Sequence, residues 1–144
     1  MANAVLVSDM LRGFMESDCP LYCGADARRI IPNIQNLLER ELAQGSKVFF
    51  ICDQHDPDDP EFDMFPPHCV EGTAEAEIVP ELAKYPGEII HKKTYSAFYK
   101  TALEEKLRQL KPEKVIVCGV CTHICVLYAV ADAKIRGYEV EVPE

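Results

Sequence analysis

Short apolar runs rich in β-formers alternate with longer stretches of helical periodicity along this chain, and few architectures accommodate that order. Ala4-Val-Leu-Val-Ser-Asp9 opens it. Its apolar residues are continuous rather than alternating, which marks a strand covered on both faces. Ile30, Ile31, Ile34, Leu37, Leu38 and Leu42 then recur at helical spacing, and Gly45 stops that helix. Lys47-Val-Phe-Phe-Ile-Cys-Asp53 is a second buried strand. A loop rich in Asp and Pro runs from about Gln54 to Thr73, and loops of that length are often functional. Glu88-Ile-Ile-His-Lys92 is a third, short strand, and Leu103, Leu107 and Leu110 mark a helix that ends before Pro112. Lys114-Val-Ile-Val-Cys-Gly119 is a fourth strand. Leu127, Val130, Ala131 and Ile135 form the apolar stripe of a last helix, capped by Gly137, and Tyr138-Glu-Val-Glu-Val142 starts a fifth strand. Such alternation predicts a three-layer α/β/α fold with a central parallel sheet. The 144 residues suit one domain, residues 1–144. Ligands bind at the carboxyl ends of strands in such sheets, where Asp9, Asp53, Lys92 and the segment after Gly119 fall.

Charge narrows the partners. With 24 acidic and 15 basic residues the net charge is −9, and no Lys/Arg cluster breaks the pattern. A surface of that sign repels phosphate backbones and anionic lipid, so neither nucleic acid nor membrane is an expected partner. No apolar run is long enough to cross a bilayer and no basic-then-apolar leader opens the chain, so a cytoplasmic location is expected. The seven cysteines (19, 23, 52, 69, 118, 121 and 125) are odd in number, and without an export signal they are expected to be reduced thiols.

Chemistry concentrates in a few of these residues. Asp9 closes an apolar strand, as either a turn cap or a functional carboxylate. Lys92 ends another strand beside Lys93, and composition alone does not choose between the two lysines. Cys125 lies in Gly119-Val-Cys-Thr-His-Ile-Cys125, at the expected start of a helix after a buried strand. A helix N-terminus lowers a thiol pKa and offers free amides to an oxyanion. Cys118-Gly-Val-Cys121 has the spacing of a redox pair, although Cys118 falls inside the apolar run and should face the core. Asp53-Gln-His55 is the strongest metal candidate, because residues i and i+2 on an extended segment point the same way. His68 could close that site from the far end of the loop. The mixed nitrogen and oxygen donors suit Zn²⁺, Fe²⁺ or Mn²⁺.

Together these residues resemble the isochorismatase-like cysteine hydrolases, closest to the nicotinamidases (pyrazinamidases). The strand ending in Asp9 followed by Phe14, the Lys92-Lys-Thr-Tyr-Ser-Ala-Phe98 stretch, and Gly119-Val-Cys-Thr-His-Ile-Cys125-Val126 match three family motifs in order, across nearly the whole chain. The last, G-V-x-T-x-x-C-V, is the most specific. The resemblance implies Cys125 as nucleophile, Asp9 as general base and acid, and Lys92, rather than Lys93, as the orienting cation. It implies an oxyanion hole from the backbone amides of Cys121 and Cys125, with a cis peptide ahead of Cys121. It also implies a divalent metal on Asp53, His55 and His68, with Glu61 as a possible fourth ligand, and a flat ring walled by Phe14, Phe65 and Tyr95.

The activity implied is hydrolysis of a small carboxamide, most simply nicotinamide to nicotinate and ammonia in NAD salvage. A related amidohydrolase acting on a carbamoyl or ureido substrate, a metal-binding protein without turnover, and a thiol redox protein are the alternatives. The chain departs from the family pattern at Gln54, where tryptophan is usual, at Leu11 and Gly13, and in a loop that is short before Phe65. Relatives continue through a further helix and strand, so the sequence is expected to be either truncated after Glu144 or an abbreviated member with an exposed sheet edge, and such an edge invites a homo-oligomer.

Overall fold

The computed structural model describes residues 2–120 and 122–143. Five strands, β1 (Ala4–Ser8), β2 (Lys47–Asp53), β3 (Glu88–Lys92), β4 (Val115–Gly119) and β5 (Val140–Glu141), form one sheet in the order β3-β2-β1-β4-β5. Every pairing is parallel. The continuous apolar composition of β1, β2 and β4 follows from their central positions, where both faces are covered. β3 lies at one edge and alternates instead, with Ile90 and Lys92 buried and Ile89 and His91 exposed. The expected strands are thus present, with β5 reduced to two paired residues.

Helices cover both faces. On one side α3 (Ile30–Ala43) packs Ile31, Ile34, Leu37 and Leu38 against Val5, Val7, Val48 and Phe50. The single-turn helices α1 (Arg12–Met15) and α4 (Pro80–Ala83) complete that layer through Phe14, Met15 and Leu82. A further single turn, α2 (Ala25–Arg28), leads into α3. On the other side α5 (Leu103–Leu110) and α6 (Leu127–Ile135) pack Leu103, Leu107, Ala129 and Ala133 against Leu6, Phe49, Ile51 and Val117. The one-turn helices escape a periodicity search because four residues show no repeat.

The stripe expected on the last helix is rotated. Leu127, Ala131 and Ile135 are exposed and Val130 is half-buried, while Val126, Ala129 and Ala133 face the sheet. Two alanines let the helix backbone approach the strands closely, and so small residues occupy the inner face where larger apolar ones were expected.

The strand ends carry the conformations that position the site. Asp9, just past β1, is a non-glycine residue at φ 55°. Gly119 ends β4 at φ +113°, and a Cβ built there would lie 2.1 Å from the Ser8 carbonyl oxygen. Only glycine permits this approach, which lets the Val120 amide donate to Ser8 O at 2.9 Å. Gly45, just past α3, also has positive φ, but nothing lies within 4 Å of its added Cβ. Gly119→Ala should therefore cost at least about 3 kcal/mol, because backbone must move, whereas Gly45→Ala should cost about 1–2 kcal/mol for conformation alone. Urea titrations of the two variants against the parent measure that difference.

Candidate active site and metal centre

Parallel register brings residues far apart in sequence to one edge of the sheet. Ser8 pairs with Ile51 and Gly119, and Asp53 with Lys92, so Asp9, Asp53, Lys92 and the segment after Gly119 emerge together. Lys92 lies at the centre. Its ammonium is 3.1 Å from Asp9 Oδ2, 3.5 Å from Asp53 Oδ1 and 3.5 Å from Cys125 Sγ, and it donates to Thr94 O at 2.8 Å. Lys93 instead reaches outward to exposed Asp56, as side-chain alternation on an extended segment requires.

Burial sets the protonation of this cluster. It pushes Asp9 up, and Asp53 adds to that, so that Lys92 only partly restores the ordinary value. Lys92 is raised: burial opposes its charge, but Asp9, Asp53 and Cys125 outweigh that penalty. Burial and then Asp9 push the Cys125 thiol up, with Lys92 opposing. The sequence led to the opposite expectation, a thiol lowered by a helix N-terminus. Instead, Cys125 sits in a π-helical turn, Thr122–Val126, ahead of α6, and the neighbouring Asp9 carboxylate works with burial to keep its thiol protonated. A thiol held neutral against a carboxylate of raised pKa is arranged for proton transfer on demand. The second oxyanion amide, that of Cys121, and the cis peptide ahead of it lie outside the described residues.

The remaining described thiols bear on the redox alternative. Cys118 is buried in the core and donates to Leu6 O at 3.7 Å, and burial pushes it up to about 12. A thiol in that state neither attacks nor exchanges.

Beside the thiol lies a second cluster. His55 Nε2 is 2.8 Å from Asp53 Oδ2 and 3.4 Å from Glu61 Oε2, while His68 Nε2 is 3.4 Å and 3.2 Å from the same two oxygens. The ligand atoms of all four residues lie within 4.8 Å of one another. A tetrahedral site with bonds of about 2.1 Å has edges of about 3.4 Å, so these residues fit a divalent cation. Strand pairing returns His68 to His55 across the loop: the His55 amide donates to Cys69 O, and the Glu71 amide to His55 O. Each imidazole is oriented from behind, His68 Nδ1 donating to Pro66 O and His55 Nδ1 meeting Asp59 Oδ2, both at 2.8 Å. Burial disfavours the charged form of His68, yet hydrogen bonds to Asp53 and Glu61 push it up to about 10. Burial likewise opposes ionised Asp53, but both histidines and Lys92 hold it well below the usual carboxylate range.

Cys125 and three of the metal-site residues, Asp53, Glu61 and His68, line one cavity of about 180 Å³, and Phe14, Phe65 and Tyr95 form its aromatic walls. Leu21, Cys23 and Ile124 complete it. Leu21 and Cys23 lie on a loop with no periodic signal, and Ile124 lies in the π-helical turn beside Cys125; no sequence signal assigned any of the three to the site. A larger cavity of about 620 Å³ lies against α3, but among the described residues its titratable lining is Arg40 and Cys118 alone, so the chemistry belongs to the smaller one. Among the described residues no helix is long and apolar enough to cross a membrane.

Comparison with known proteins agrees with this geometry. A family model for the isochorismatase domain matches residues 3–144. The fold superposes on pyrazinamidase/nicotinamidase from Streptococcus mutans UA159 with a TM-score of 0.92, at 32% identity, covering 98% of this chain and 84% of that one. N-carbamoylsarcosine amidase from Thermoplasma acidophilum gives a TM-score of 0.90 at 30% identity, over 99% of this chain and 81% of that one. Pyrazinamidase from Pyrococcus horikoshii, solved in complex with zinc, gives 0.89 at 30% identity, over 99% and 83%. With the family model spanning nearly every residue, the chain belongs to the isochorismatase family of hydrolases.

Proposed function

We propose that the protein hydrolyses the carboxamide of a small, flat, uncharged ring, with nicotinamide converted to nicotinate and ammonia, through a thioester on Cys125. The observation that carries this reading is the shared cavity: a nucleophile candidate and a metal-ligand cluster face the same 180 Å³ space between aromatic walls. A ring whose nitrogen faces the metal site then presents its carboxamide to the thiol.

Asp9 takes the Cys125 proton as sulfur attacks the carbonyl carbon, and the ammonium of Lys92 balances the charge that develops. Backbone amides at Cys121 and Cys125 hold the tetrahedral oxyanion. Asp9 returns the proton to the leaving nitrogen and ammonia departs, leaving the thioester. Water, activated by the same carboxylate, then releases the acid and restores the thiol. Asp53, His55, His68 and Glu61 would hold Zn²⁺, Fe²⁺ or Mn²⁺, which when bound supplies a Lewis-acidic centre for a ring nitrogen. On this reading the enzyme serves NAD salvage.

The likeness to N-carbamoylsarcosine amidase supports a second reading, a carbamoyl substrate. A carbamoylated amino acid brings a carboxylate, and among the described residues the cavity's charged lining is Asp53, Glu61 and His68, with no lysine or arginine. That lining favours the neutral ring.

Ammonia release from nicotinamide and, separately, from N-carbamoylsarcosine decides between the two; turnover of the second alone would reverse the assignment. Cys125→Ala should lower nicotinamide turnover at least about a thousandfold and remain folded, while Cys118→Ala keeps measurable activity. An active Cys125 variant beside a dead Cys118 variant would sink the mechanism. Elemental analysis of protein purified without chelator should find near-stoichiometric divalent metal, and His55→Ala should lose it. Metal-free wild-type protein that hydrolyses nicotinamide normally would remove the metal from the reading.

A further inference from the structure

Asp59 was not among the residues singled out in the sequence, yet it touches two of the four members of the metal cluster. One carboxylate oxygen, Oδ2, lies 2.8 Å from His55 Nδ1; the other, Oδ1, accepts from the Glu61 amide at 2.8 Å. It does so from the N-cap of the 3-10 turn Pro60–Asp63, whose second residue is Glu61. Its side chain is only 12% exposed. From the other side Phe62 packs against the rings of both His55 and His68, at 5.5 and 5.6 Å between centroids.

We propose that Asp59 is the positioning residue of the metal site, holding His55 in the tautomer whose Nε2 is free to ligate while it fixes the backbone that carries Glu61. The inference rests on the metal reading above. A carboxylate facing Nδ1 can only accept, so it keeps the ring proton on Nδ1, and a cation can then take the place of the proton shared between Nε2 and Asp53 Oδ2, 2.8 Å away. His68 reaches the same state by a different route, through the Pro66 carbonyl. Asp59 thus does for one imidazole what main chain does for the other, and sets the Glu61 side of the cluster with the same group.

Asp59→Asn separates this role from simple capping. Asparagine caps a helical turn as well as aspartate, so its oxygen keeps the bond from the Glu61 amide. Its NH₂ then replaces Oδ2 opposite Nδ1, which must give up its proton to accept, and the proton moves to Nε2, where it blocks ligation. The turned-over amide loses the cap and sets two donors against each other, so it offers no escape.

The test measures Zn²⁺ affinity by competition with a chelating dye, together with the visible spectrum of the Co²⁺ form and the melting temperature of the metal-free form. It compares wild type, Asp59→Asn and, as a surface control, Asp58→Asn. Asp59→Asn is expected to bind Zn²⁺ about 10- to 100-fold more weakly and to shift the Co²⁺ band. Its metal-free melting temperature should stay within about 2 °C of wild type, and Asp58→Asn should match wild type throughout. Zn²⁺ affinity of Asp59→Asn within about twofold of wild type overturns the proposal. So does an affinity loss accompanied by a lower metal-free melting temperature, since loss of the cap then explains it. Wild type that binds no Zn²⁺ overturns the metal reading itself, and the proposal with it.

Discussion

A single buried ammonium, that of Lys92, makes the rest of this site possible. Two carboxylates, Asp9 and Asp53, are buried at adjacent strand ends, and their charges repel across a medium that screens poorly. Lys92 is within 3.5 Å of an oxygen of each and of the Cys125 sulfur as well. Uncompensated, any one of these charges would cost several kcal/mol to bury. The strand register supplies the compensation, because β3 pairs with β2 so that Lys92 lies opposite Asp53.

Asp53 makes the two clusters one. Its amide donates to Asp9 Oδ1 at 3.0 Å, one carboxylate oxygen faces Lys92, and the other faces both histidines. The thiol cluster and the cluster of candidate metal ligands are therefore separated by one side chain rather than by a domain. That closeness is why a cavity as small as 180 Å³ can present both to one ligand. The glycine at position 119 has a comparable role in the backbone, since it lets β4 end hard against Ser8, with the Val120 amide donating to the Ser8 carbonyl.

Two departures from the sequence reading have one cause. The last helix was expected to bury its large apolar residues, and Cys125 was expected to be a lowered thiol at a helix N-terminus. In the fold, Ala129 and Ala133 face inward, and the preceding π-helical turn turns the thiol toward Asp9, where burial dominates its pKa. Both outcomes depend on how closely this segment approaches the sheet, a distance that local periodicity does not encode. Asp59 escaped notice for a related reason: an aspartate in an Asp/Pro-rich loop looks like any turn former until the His55 ring is seen against it.

The amino-acid order by itself determined the layer architecture, because short continuous apolar runs rich in β-formers suit strands covered on both faces, and the helical stretches between them provide the cover. It also determined which residues stand at the strand ends, and hence most of those gathered in the candidate site: Asp9, Asp53, His55, His68, Lys92 and Cys125. Tertiary structure decided what those residues are to one another. Lys92 rather than Lys93 faces inward because strand alternation and pairing with Asp53 bury one ammonium and leave the other at the surface. Glu61 joins the histidines because Asp59 caps the turn that carries it, and the thiol is neutral because burial outweighs the neighbouring cation. Burial and distance set such energies, and both are properties of the packed chain rather than of any stretch of it.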